Sequence, residues 1–201
     1  MVPTVQHPRS SPPSSFAAVT CGPLALWALA WLTGPTLLSM SGFTLNPHGH
    51  APLHAHGHPF VDARSWWGVP NTLDELSNLP LVVAGGTGFW LLRGHTLARL
   101  AVNALRVFFA GLVLSGLGSA VYHWAPEAGS LVIDRLGMAV AFAGVLSLAV
   151  TERFGWREAN VFLPVVFVLA VTSAVLPQAQ GNVLPWAVVQ FGGIGLITWA
   201  A

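Results

Sequence analysis

The sequence contains no lysine; all eight of its basic residues are arginines. Acids are equally scarce, with seven Asp and Glu in 201 residues, and charged residues make up 7% of the chain against 54% apolar ones. A water-soluble domain of this length carries several times that charge, so a soluble enzyme is excluded. A net charge of +1 also excludes binding to nucleic acid by its backbone charge, and no nucleic-acid partner is expected. Cys21 is the single cysteine, so no intrachain disulfide can form. What this poverty of charge leaves is apolar sequence long enough to cross a bilayer. The chain therefore reads as all-α, a polytopic transmembrane bundle of about six helices in one domain.

Residues 1–15 are rich in Pro and Ser and read as a disordered N-terminus. Residues 16–45 are free of charge and read as an N-terminal anchor helix over roughly 20–40. Residues 46–59 form a loop with His48, His50, His54, His56 and His58. Two of the His pairs have the four-residue spacing of helical metal ligands, but Pro and Gly surround them, and that context does not hold a helix. The loop is read as solvated low-complexity sequence or as a weak scavenger of divalent metal.

From residue 60 the chain becomes polar and aromatic. Trp66 and Trp67 suit a membrane interface. Asn71 and Thr72 can cap a helix whose first turn carries Asp74 and Glu75, as the helix dipole favours. The Asn71 and Asp74 oxygens, with Asp62, could instead make a hard-cation site. Ser77 and Asn78 then enter an apolar run to Leu92, where polar groups need partners on other helices.

The most informative stretch is Ser119 to Asp134. Charge-free runs, Val107 to Val121 and Leu136 to Val150, flank it. Ser119 and His123 are four apart and share a helical face, which Gly111 and Ser115 extend as a stripe of small residues. Trp124, Pro126 and Gly129 turn the chain, and Asp134, beside Arg135, is placed at the opening of the next helix. Ionisable groups at the edge of hydrocarbon are costly and are candidates for function, although a His and an Asp there can also simply snorkel or pair with each other.

These residues resemble the alkaline ceramidase family, part of a wider superfamily of membrane hydrolases that includes the progestin and adiponectin receptors. The resemblance rests on Ser119-Ala-Val-Tyr-His123-Trp-Ala-Pro and Asp134-Arg135-Leu-Gly-Met138, with Asp62, Arg64, Asn71, Ser77 and Asn78 upstream, and covers residues 60–201. It implies a seven-helix zinc amidase that cleaves a ceramide-like lipid amide within the membrane into a sphingoid base and a fatty acid. His123 would be one of three zinc-binding histidines, Asp134 the proton-transfer residue and Ser119 a hydrogen-bond donor. Some family members also hold calcium near the positions of Asp62 and Asn71. The family's other two zinc ligands lie in a His-xxx-His motif on its last helix, which has no counterpart before Ala201. The expectation is a core truncated at its C-terminus and inert as these 201 residues. A receptor-like member without hydrolysis, or a metal-handling protein built on the His-rich loop, is the alternative.

The arginines supply a topology. Six lie at 9, 93–106 and 153–157, and two, Arg64 and Arg135, lie in the alternate segments. The positive-inside rule puts the first set in the cytoplasm and His123 and Asp134 on the opposite side. The expected location is a bacterial inner membrane with the site facing the periplasm.

Overall fold

The computed structural model describes residues 13–43, 64–94 and 99–200. The His-rich loop, Asp62, His95 and nearly all of the expected disordered N-terminus lie outside the described residues. Within them the chain is helical: α1 (Pro13–Met40), α2 (Thr72–Ser77), α3 (Leu79–Leu92), α4 (Arg99–Trp124), α5 (Ala128–Phe154), α6 (Trp156–Gln180) and α7 (Leu184–Ala200). Four of these, α1, α4, α5 and α6, are long and apolar enough to cross a membrane. With α2 and α3 taken as one interrupted helix, the expected six-helix bundle is present.

Close approach of α4 to α5 builds the centre of the bundle, and glycine permits it. A Cβ on Gly111 would overlap the Ala141 backbone, one on Gly137 the Ser115 backbone, and one on Gly144 the Phe108 backbone. Between apolar helices in lipid there is no hydrophobic drive to associate, so packing of this closeness supplies the attraction. The same device joins α3 to α4, where Gly85 faces the Phe109 carbonyl and Gly116 faces the Asn78 carbonyl. Ala139, Ala143, Ala170 and Ala174, all fully buried, continue the small-residue core into α6. Large apolar side chains point outward instead, including Leu32, Val83, Val168 and Phe191. That distribution would aggregate in water and is ordinary against lipid.

The N-terminal helix is longer than the expected 20–40 and packs on the bundle. Pro23 and Pro35 lie inside α1 without ending it, as membrane helices allow. Trp27 Nε1 donates to Ser173 Oγ of α6 at 2.6 Å. Asn182, fully buried between α6 and α7, donates through Nδ2 to the carbonyls of Ala30 and Trp31 at 3.1 Å each. Gly34 leaves the space that the Asn182 amide fills.

The two ends of the bundle differ. Arg93 and Arg106 line one cleft, Arg153 lies over the Trp199 ring at 5.0 Å, and Arg157 lies over Trp156 at 5.3 Å. Phe16 meets Phe154 edge-on at 5.6 Å, which brings the start of α1 to this arginine-rich end. Ser119, His123 and Asp134 lie towards the other.

Gly137→Leu should separate α4 from α5, because the added side chain meets the Ser115 backbone, which has no rotamer to yield. Overpacking of this kind costs about 1–3 kcal/mol. A detergent-stability assay should show a lowered melting midpoint, whereas Gly86→Leu, which meets open space, should leave it unchanged.

Candidate functional site

Ser119 and His123 stand one turn apart near the end of α4, and Asp134 stands in the second turn of α5. The sequence suggested that Asp134 opens its helix, but α5 begins at Ala128. Glu127 is the N-cap residue in extended backbone, and its N–H donates to Ser130 Oγ at 3.0 Å. Ser130 donates in turn to the Ala125 carbonyl at 2.7 Å, closing the turn between α4 and α5. Gly129 therefore lies inside the helix, and Asp134 faces α4 from the helix side.

That placement joins the three residues. The Ser119 hydroxyl donates a hydrogen bond to the Asp134 carboxylate, and His123 and Arg135 lie close enough for their charges to act on it. Tyr122, buried at 2% exposure, stands beside Arg135 and Asp134. Gly118, next to Ser119, lies against the Ile133 carbonyl and lets the two helices meet at this depth.

Asn71 does something other than the expected capping. It precedes α2 in the left-handed conformation (φ 48°, ψ 45°), which Asn tolerates better than most residues, and makes no side-chain cap bond. Its backbone carbonyl accepts from Glu75 N–H at 2.9 Å. Its side-chain Nδ2 instead donates to the His123 carbonyl at 2.6 Å and ties the loop to the end of α4. The described residues thus contain one of the two expected calcium ligands, Asn71, while Asp62 lies outside them. Ser77 is exposed and Asn78 buried, and both donate to the Asp74 carbonyl, at 2.7 and 3.1 Å. They stabilise the α2–α3 junction and do not reach Asp134.

Glu75 is the site residue that sequence reasoning missed. It fits a first-turn acid, so its spacing carried no further signal. In the structure its charge acts on His123. Among the described residues, Glu75 Oε1 and Asp74 Oδ2 are buried and accept no hydrogen bond. The charges of two acids from different elements, Glu75 and Asp134, thus act on His123. Burial pushes the Glu75 carboxyl above its ordinary range, against the opposing pull of His123.

Zinc needs about three protein ligands in such a site. Among the described residues no three His, Cys, Asp or Glu side chains come together to hold a metal. His123 alone does not fit zinc. No protein-family model, curated protein or solved structure matches the chain.

Because Glu75 is held above its unfolded value, the folded state favours its neutral form. Its contribution to stability is intact below the ordinary glutamate range and is lost as pH rises through the raised value. In protein stripped of metal with chelator, Glu75→Gln should therefore raise the melting midpoint relative to wild type at pH 7–8. The gain should disappear as the buffer approaches pH 4. A constant difference across that range would mean that Glu75 titrates normally.

Proposed function

We propose that the chain is a membrane amidohydrolase resembling the alkaline ceramidases, acting on the amide of a ceramide-like lipid. The observation that carries this reading is the hydrogen bond from Ser119 to the Asp134 carboxylate with His123 beside it, at the end of an apolar helical hairpin. Such a grouping is costly at the edge of hydrocarbon and suits an amide that arrives through the lipid phase. Asp134 would take a proton from the attacking water as its oxygen bonds to the carbonyl carbon. Ser119 holds the carboxylate in position. Asp134 would then pass that proton to the leaving nitrogen as the C–N bond breaks, releasing a sphingoid base and a fatty acid. The resemblance also implies zinc, but a zinc site requires ligands beyond the described donor set.

That deficit favours a second reading, in which the same residues bind a lipid amide without cleaving it. One assay separates the two. Purified protein in zinc-containing mixed micelles is given a long-chain ceramide, and bound lipid and released fatty acid are both measured. Hydrolysis predicts release that falls about 100-fold or more in Asp134→Asn. Release unaffected by that substitution would remove Asp134 from the chemistry. Binding without release would leave the second reading.

For orientation we propose that this end faces the outer side of a bacterial inner membrane. The six-to-two division of arginines supports it, as does the gathering of Arg93, Arg106, Arg153 and Arg157 at the opposite end. In a Cys21→Ser background, Glu127→Cys should react with an impermeant thiol reagent added to intact cells, and Arg93→Cys should not. The reverse pattern would invert the topology.

A further inference from the structure

The segment before α2 contains a tight turn that the candidate site does not use. Trp66 and Val69 exchange both backbone hydrogen bonds, at 3.1 and 3.0 Å. Both residues between them have positive φ, 51° at Trp67 and 79° at Gly68. Glycine takes this conformation freely, and Asn or Asp is the usual residue ahead of it in such a turn. A bulky aromatic there is disfavoured by its Cβ. The turn therefore keeps a tryptophan where backbone sterics select against one, and its explanation lies outside the turn's own folding.

The side chains indicate what that is. Trp67 is 89% exposed and Trp66 57% exposed. Their rings stack at 4.8 Å and 25° into one slab. Trp124, 58% exposed, ends α4 at the same pole. Exposed Leu73 and Leu76 continue the apolar surface along α2, and exposed Leu79 carries it onto α3. The slab thus precedes further exposed apolar side chains on α2 and α3. An indole has an apolar body and one N–H donor, which is why tryptophan collects at the boundary between headgroups and acyl chains.

The turn is also fastened to the site. Trp66 N–H reaches Thr72 Oγ1 at 2.8 Å, that hydroxyl donates to the Val69 carbonyl at 2.7 Å, and Thr72 N–H donates to the Arg64 carbonyl at 3.2 Å. Thr72 follows Asn71, whose amide holds the His123 carbonyl. Displacement of the tryptophan slab therefore pulls on the end of α4.

We propose that the Trp66–Trp67 turn is a lipid-interface anchor that holds the His123 end of the bundle at headgroup depth. Its occupant is the polar–apolar boundary of the bilayer the helices already span. The inference needs no turnover and stands apart from amide hydrolysis.

A depth measurement tests it. Ser65→Cys, in a Cys21→Ser background, carries an environment-sensitive fluorophore on the full chain in phosphatidylcholine vesicles. Quenching by lipid with a headgroup nitroxide should exceed quenching by aqueous iodide, and by lipid nitroxide-labelled deep in the acyl chain, by about twofold. In Trp67→Asn the fluorophore should move outward, with headgroup quenching reduced and iodide quenching increased. The same variant should melt about 2–4 °C higher, because Asn accepts the left-handed backbone. Iodide dominating in the wild type would assign the slab to a soluble ligand or to bulk water and overturn the proposal. Quenching unchanged in Trp67→Asn would overturn it as well.

Discussion

A hydroxyl on one helix and a carboxylate on the next can meet at the edge of hydrocarbon only if their backbones come close, and here glycine sets that distance. Gly118 lies against the Ile133 carbonyl and Gly137 against the Ser115 backbone, directly beside Ser119 and Asp134. With that spacing Ser119 reaches the carboxylate, and His123, one turn on, joins the same pole. The rest of the bundle supports this contact. On one flank α3 approaches α4 through Gly85 and Gly116, and on the other the fully buried alanines of α5 and α6 keep the hairpin upright. Water cannot rescue polar groups at this depth, so their mutual positioning depends on helix packing.

The bundle and its central hairpin were legible in the sequence because they rest on local signals. Apolar length gives the spans, and the four-residue steps from Gly111 through Ser115 and Ser119 to His123 give the packed face. The start of α5 was misplaced because Pro126 and Gly129 are louder than Glu127 and Ser130, yet the latter pair forms the cap. The roles of Asn71 and Glu75 were not legible for a different reason. Cap and dipole arguments look a few residues ahead, whereas Asn71 bonds a carbonyl 52 residues away. A left-handed Asn makes that bond possible, and no periodicity encodes it.

The first helix shows the same limit. Its charge-free length identifies a span, and nothing in that length shows where it docks. Docking comes from isolated groups: a Trp27 indole that finds Ser173, and a Gly34 opposite Asn182. The N-terminal anchor helix thus also packs on α6 and α7 as part of the fold.

Asn182 and the acids of α2 differ in how their polar atoms are satisfied. Asn182 is fully buried and well satisfied, with Nδ2 held by two carbonyls and Oδ1 accepting from Leu184 N–H at 3.2 Å. A polar group buried on those terms fixes geometry and leaves little capacity for a ligand. The α2 acids have the opposite character. Asp74 Oδ2 and Glu75 Oε1 are buried beside the His123 end of the bundle and accept no hydrogen bond among the described residues. Burying a carboxylate oxygen without a donor carries a desolvation cost. Capping does not offset that cost, because caps point their oxygens at the helix N-terminus, and α2 has no side-chain cap bond. Asn182 therefore locks α1 against the last helix, whereas the α2 acids, at the His123 end, are polar groups whose hydrogen bonding the described residues do not complete.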